Sequence, residues 1–202
     1  PFRQAILDYL WGRDDGRRLK DTVMTIAENY PPQVLLCNMN LLGTHDTPRI
    51  LTALVDDRDG TRQELAERHL SPENLSLGKQ RLLLATVLQF ALPGCPSVYY
   101  GDEAGCEGYR DPFNRRPYPW GREDRELVEF FKNTLKLRDT HDALKYGTTE
   151  VLKTSHGVIV FKREYENDRI LCIFNANDHG ISVNLQNVKV SLDAMSFTIV
   201  EY

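Results

Sequence analysis

Asn40-Leu41-Leu42-Gly43-Thr44-His45-Asp46-Thr47-Pro48-Arg49 is the stretch on which the fold turns. It joins an apolar run to a knot of polar, titratable residues. Residues 34–43 carry Leu35, Leu36, Met39, Leu41 and Leu42 between Pro32 and Gly43. A short, mostly apolar run bounded by proline and glycine reads as a fully buried strand of the parallel kind. Polar residues bunched directly after such a strand have the layout of a β-to-α loop, where α/β proteins place their ligands. His45 beside Asp46 is open to several readings. It can be a metal pair, a base with its orienting carboxylate, a clamp on sugar hydroxyls, or simply part of a structural loop.

Upstream, Phe2, Ile6, Leu7 and Leu10 recur at helical spacing and predict a helix over 2–11. A turn over 12–16 follows. A second helix is expected over 17–29, with Leu19, Val23, Ile26 and Ala27 on one face, Asp14 and Asp15 as caps and Pro31-Pro32 as its stop. Downstream, 50–54 suits a helical turn, while 56–60 and 71–76 read as polar loops. Residues 77–92 read as a helix apolar on nearly its whole circumference, through Leu82, Leu83, Leu84, Val87, Leu88, Ala91 and Leu92, so burial on most sides is expected. Pro93-Gly94 ends it. A second buried strand is expected over 96–100, then Gly101-Asp102-Glu103. A long polar loop over 105–121 precedes an amphipathic helix over 124–139; a loop of that length inside a compact domain is usually functional.

The texture changes near residue 145. Short strand-like runs at 151–152, 158–161, 170–174, 181–185 and 197–200 are separated by turn signals such as Glu166-Asn167-Asp168 and Asn177-Asp178-His179-Gly180, which predicts a small antiparallel sandwich. The expected class is therefore α/β over 1–145 followed by all-β over 146–202. Two parallel strands make neither a barrel nor a stable open sheet. The remaining strands are expected from sequence outside this chain, another copy or a separate fragment.

Composition narrows the partners. A net charge of −4 over 202 residues argues against a nucleic-acid face, which is basic. No apolar run has the length of a membrane span. Cys37, Cys95, Cys106 and Cys172 form no C-x-x-C pair or zinc-finger spacing and read as reduced apolar fillers. The chain opens on Pro1-Phe2-Arg3 without a signal-peptide layout, as if in mid-fold, and its compartment stays open. His69, His141, His156 and His179 read as surface or turn residues. Asp56-Asp57-Arg58-Asp59 reads as a solvated loop without calcium-ligand spacing.

Two further segments carry chemistry. Gly94-Cys95-Pro96-Ser97-Val98-Tyr99-Tyr100-Gly101-Asp102-Glu103 closes the second strand. Asp111-Pro112-Phe113-Asn114-Arg115-Arg116-Pro117-Tyr118-Pro119-Trp120 offers carboxylates and guanidinium groups suited to sugar hydroxyls, and aromatics suited to a pyranose face. A surface loop held by Asp–Arg pairs remains the alternative for this last stretch.

In this order the segments resemble the α-amylase superfamily of glycoside hydrolases, family 13. The stretch Leu41 to Arg49 is similar to its seventh-strand motif, Gly94 to Glu103 to its eighth-strand motif, and Asp111 to Arg115 to the sugar-binding loop beyond. Pro1-Phe2-Arg3 and Pro119-Trp120-Gly121-Arg122-Glu123-Asp124 look most like the neopullulanase and cyclomaltodextrinase branch. The resemblance implies the last part of a TIM (β/α)8 barrel, from after strand 6 through helix 8, then a C-terminal β-sandwich. It implies Asp46 as the catalytic carboxylate that stabilises the transition state, and His45, Asp111, Arg115 and Arg49 as substrate-binding residues. Asp102 and Glu103 would brace the eighth-strand loop. The implied partner is an α-glucan oligosaccharide, with no redox or nucleotide cofactor; calcium in a full-length parent is left open. The family's nucleophile and general acid come from strands four and five, whose motifs are absent here, so this chain alone is expected to be inactive. Two alternatives stay in view: a non-catalytic amylase-like binding subunit, and a piece centred on the β-module whose first 145 residues pack unlike a barrel. Sheet edges and the apolar helix over 82–92 would then be exposed, with self-association as the result.

Overall fold

A computed structural model of the chain describes residues 1–55, 60–185 and 188–202. Helix α1 (Phe2–Leu10) and helix α2 (Arg17–Asn29) follow the sequence spacing. The Asp14 carboxylate accepts from the amides of Gly16 and Arg18, and that of Asp15 from Arg17, so the two acids do serve the start of α2. The next segment departs from expectation. Val34, Leu35 and Leu36 lie in a short helix, α3 (Pro32–Cys37), and strand β1 is only Met39–Leu41. Pro32 sits at the first helical turn, where its fixed φ and missing N–H cost nothing. An apolar run alone does not separate helix from strand. Nor is β1 fully buried: Met39 is 61% exposed.

Helix α4 (Ile50–Ala53) is the predicted turn, fully buried. Helix α5 (Arg62–Glu67) was not anticipated, although Thr61 and Glu64 form a capping box, a pattern visible in sequence. Helix α6 (Pro72–Ala91) begins earlier than expected, because the Ser71 hydroxyl accepts from the Asn74 amide and Pro72 opens the first turn. Residues 72–76 are therefore helical rather than loop, whereas the acidic run 56–59 lies outside the described residues. The apolar residues of α6 are buried between α1, α4 and helix α7 (Arg125–Thr140). The exposed helix face expected over 82–92 is thus covered from within the chain. Strand β2 (Cys95–Ser97) pairs in parallel with β1, Met39 opposite Cys95 and Leu41 opposite Ser97. Buried Asn40 and Gln89 lock the pair to α6: Gln89 donates to the carbonyls of Asn40 (2.6 Å) and Ser97 (2.9 Å), and Asn40 to that of Pro93 (3.0 Å). Among the described residues no helix is long and apolar enough to cross a membrane.

After a short helix α8 (Asp142–Tyr146), the β-module forms as predicted. Strands β3 (Thr148–Ser155), β4 (Val158–Tyr165) and β5 (Asp168–Asn175) run antiparallel. A hairpin of β6 (Ile181–Leu185) and β7 (Val188–Leu192), the latter not foreseen, precedes β8 (Ser196–Glu201), which pairs with β5. Side chains alternate along β4 and β5. Ile159, Phe161, Ile170, Cys172 and Phe174 enter the core shared with the helices, while Val158, Val160, Leu171 and Ile173 pack against Val183 and Leu192 of the hairpin. The four-stranded sheet is therefore covered on both faces, by helices and by a two-stranded second layer.

Buried arginines close the seam between the two architectures. Arg163 of β4 is fully buried and donates to the carbonyls of Ala91, Leu144 (3.3 Å), Gly147 (3.0 Å) and Thr148 (3.2 Å). Arg138 of α7 donates to the carbonyls of Phe90 and Gly94, the latter at 2.6 Å. Both cations sit at the C-terminal end of α6, where free carbonyls and the helix dipole favour positive charge. Burial lowers the Arg163 pKa to about 10, which leaves it charged at neutral pH. The Tyr9 hydroxyl of α1 donates to Gly157 (2.9 Å) across the same seam. Near residue 145 the secondary structure changes, but the core runs on without a break.

Candidate functional site

The parallel pairing brings the C-terminal ends of β1 and β2 side by side, and the loops that follow them converge. Beyond β1, residues 44–47 form a tight turn. The Thr44 amide donates to the Thr47 hydroxyl (3.2 Å), the Thr47 amide to the Thr44 carbonyl (3.3 Å) and the Asp46 amide to the Thr44 hydroxyl (3.2 Å). With its backbone tied, the turn points both functional side chains outward. His45 Nε2 lies 3.3 Å from Asp46 Oδ2, and the two side chains are 65% and 73% exposed. The loop beyond β2 supplies Arg115, from a 3-10 turn at Phe113–Arg115. Its guanidinium lies 2.7 Å from Asp111 Oδ1 and 3.7 Å from Asp46 Oδ1, and also donates to the His45 carbonyl (3.2 Å). Four of the five residues named from sequence therefore meet on one open face. Carboxylate, imidazole and guanidinium groups alternate there as acceptors and donors, which matches the paired hydroxyls of a sugar ring.

Arg49, the fifth, lies beneath that face and is fully buried. Its amide donates to the Gly108 carbonyl (2.9 Å) as the chain enters α4, which turns the side chain inward. The guanidinium carbon lies 4.4 Å and 4.5 Å from the ring centroids of Tyr99 and Tyr100, donates to the Tyr100 carbonyl, and sits 3.3 Å from Asp102 Oδ1. In this arrangement it holds the β2 loop, together with Asp102. Gly43 permits the approach, because a Cβ there would collide with the Asp102 carboxylate. Burial raises the Asp102 pKa to about 7, against the opposing pull of Arg49. From the other side Arg3 of α1 donates to the carbonyls of Leu42 (2.6 Å) and Pro48 (3.1 Å).

The long polar loop is well anchored. The Gly108 amide donates to the Thr52 hydroxyl (3.0 Å), Glu107 accepts from the Leu70 amide (2.6 Å), and the Tyr100 hydroxyl donates to the Arg116 carbonyl (2.9 Å). Its Asp111–Pro112 bond is cis. Asn114, to which sequence reading gave no role, is fully buried and donates to the carbonyls of His45 (2.7 Å) and Thr47 (2.8 Å). Further along, Tyr118 and Trp120 lie with ring centroids 4.6 Å apart, and Trp120 is 81% exposed. Among the described residues no three His, Cys, Asp or Glu side chains group as a metal site. A cleft of about 730 Å³ in the β-module, lined by Glu150, Lys162, Leu171 and Tyr202 among others, shares no residue with this face.

No protein-family model matches the chain. It is 36% identical over 98% of its length to an amylopullulanase of Thermoanaerobacter thermohydrosulfuricus, covering 14% of that protein. It is 30% identical over 89% of its length to a cyclomaltodextrinase of a Bacillus species, covering 29% of it. The maltogenic amylase of S. marinus superposes on 99% of the chain, at 31% identity and a TM-score of 0.77, with 28% of that structure covered. The chain thus spans less than a third of the length of these relatives. On motif order, fold and identity together, it belongs to the α-amylase family of glycoside hydrolases, family 13.

Proposed function

We propose that this chain is the C-terminal barrel portion and β-sandwich of a retaining α-glycosidase that cleaves α-1,4 or related α-1,6 glucosidic bonds in maltooligosaccharides, cyclodextrins, pullulan or starch. The observation that carries the reading is Arg115, which joins Asp111 to the His45–Asp46 turn on an open face at the ends of two parallel strands. In this mechanism a sugar lies across that face. Asp46 accepts hydroxyl hydrogen bonds of the ring being cleaved and offers negative charge to the oxocarbenium-like transition state. His45 donates to the same sugar, and Asp111 with Arg115 holds the neighbouring donor-side glucose. Arg49 positions the β2 loop and touches no sugar. The nucleophile and the general acid, two carboxyl groups roughly 5–5.5 Å apart in retaining enzymes, are supplied by protein outside this chain. The reaction so read calls for no redox or nucleotide cofactor, and calcium in a full-length parent stays open.

The test compares two samples on a panel of maltoheptaose, γ-cyclodextrin, pullulan and starch. The full-length protein that carries this chain should hydrolyse at least one with retention of configuration, and the 202-residue chain none. Hydrolysis by the chain alone overturns the division of the site. A full-length protein that binds these glucans without cleaving them supports the non-catalytic amylase-like subunit instead. In isolation the chain should also self-associate through the unpaired edges of β1 and β2, beside exposed Met39 and Val98, rather than through α6; a monomer by light scattering at high concentration counts against this.

A further inference from the structure

We infer that Asn114 is a positioning residue for the Asp46 carboxylate. This rests on the functional reading above and names a residue that reading does not use. Asp46 is strongly exposed, its carboxylate 3.3 Å from His45 Nε2 and 3.7 Å from the Arg115 guanidinium. Its place is set by the turn that carries it, and the turn's two flanking carbonyls, at His45 and Thr47, converge on one amide nitrogen. A single carboxamide NH2 has two hydrogens, and here each meets one carbonyl, at 2.7 Å and 2.8 Å. Asn114 is fully buried and both bonds are partly so, and a lost donor would leave two converging acceptors without their shared partner.

The arrangement also couples the two halves of the site. Asn114 lies between Asp111 and Arg115 in sequence, within the turn at Phe113–Arg115 that aims Arg115 at Asp46 and Asp111. The turn bearing the carboxylate and the loop bearing the sugar-holding pair are therefore registered through one side chain. Gly108 packs where this loop crosses Arg49, since a Cβ there would meet the Phe113 carbonyl and the Arg49 side chain, so the loop seats on the buried base described above. The geometry predicts that Asn114 acts on the transition state through Asp46 rather than on substrate directly.

Asn114→Asp is the sharpest variant: it keeps shape and size but replaces the NH2 with an acceptor, placed against two carbonyls. In the full-length protein, with whichever glucan the wild type cleaves fastest, kcat should fall by about 10–100-fold and KM by less than about threefold either way, as expected when a reacting group is displaced by about 1 Å. Asn114→Gln, which keeps the donor on a longer arm, should recover part of kcat. Two results overturn the inference: an unchanged kcat in a folded Asn114→Asp protein, or a fall in KM affinity alone. A second measurement does not depend on activity, so failure of the functional reading and failure of the positioning contact can be told apart. In the 202-residue chain, amide hydrogen exchange at Asp46 and Thr47 should speed up at least tenfold in Asn114→Asp while exchange in β4 and β5 keeps its wild-type rate. Uniform acceleration across the chain would reveal a merely global loss of stability and overturn the positioning role.

Discussion

Two of the sheets among the described residues differ in almost every respect. The β3-β4-β5-β8 sheet is antiparallel, carries side chains in a two-residue alternation along β4 and β5 and is covered on both faces. The β1–β2 pair has three residues per strand, a parallel register and an exposed Met39. The first is built as scaffold, and the second carries the candidate site residues at its strand ends. A short strand pair with polar loops at its ends can carry exposed, charged side chains because α6, through Asn40 and Gln89, holds it from behind. The difference teaches that the site is rigid through its backbone contacts rather than through burial of its side chains.

The seam between the two regions should show the largest effect. Arg163→Met removes the donors to four carbonyls, two of those bonds fully buried, and leaves a side chain of similar length. The expected loss is about 3–5 kcal/mol, read as a lower urea midpoint with a near-constant m-value. The sheets can next be compared directly. Phe161→Ala, in the shared core, should cost about 3–5 kcal/mol. Met39→Ala, on β1, should stay within about 0.5 kcal/mol. Equal losses at the two positions would break the contrast.

How much of this was legible in the sequence follows from the same contrast. The β-module was readable because alternation and turn residues such as Glu166-Asn167 are local signals, and β4 and β5 emerged where Val158–Phe161 and Ile170–Phe174 stood. By contrast, β7 was not foreseen, although Val188, Val190 and Leu192 alternate with polar residues just as Ile181, Val183 and Leu185 of β6 do. Around the site, Leu35 and Leu36 misled, since an apolar run is silent about helix or strand until Pro32 is read as a helix opener. The grouping of His45, Asp46, Asp111 and Arg115 was legible only through family resemblance; nothing local says that residues more than sixty apart will touch. Arg49 shows the limit. Its neighbours in sequence are candidate site residues, but whether its side chain turns outward or under the loop depends on Tyr99 and Gly108, which are distant in the chain, as well as on nearby Gly43.

Asp102 gives the base of the site a distinct pH signature. Its pKa is raised, from the ordinary carboxylate range to about 7, so the folded state binds a proton there that the unfolded chain has already released. Stability from this group is complete below about pH 4 and is lost as pH rises through about 7. Asp124 and Glu164 act oppositely. Their pKa values are depressed, by hydrogen bonds that outweigh burial at Asp124 and by Tyr202 and Lys162 at Glu164, so their contribution fades only on acidification below the ordinary range. Between about pH 4.5 and 7 the thermal midpoint of the wild type should therefore fall more steeply than that of Asp102→Asn. Parallel curves would remove Asp102 from the account.

The smallest stability effect belongs to the exposed face itself. Arg115 is about half exposed and its ion pairs with Asp111 and Asp46 are open to solvent and salt, so Arg115→Ala should change stability by no more than about 0.5 kcal/mol. The same substitution removes the one cation that joins the two carboxylates, and in the full-length protein it should lower kcat/KM by a factor on the order of 100. A variant that is nearly neutral for folding and severe for turnover would separate the two sheets by role as well as by shape. If Arg115→Ala instead destabilised the chain as much as Phe161→Ala, the open face would be part of the scaffold, and its exposed charges would need a structural explanation in place of a functional one.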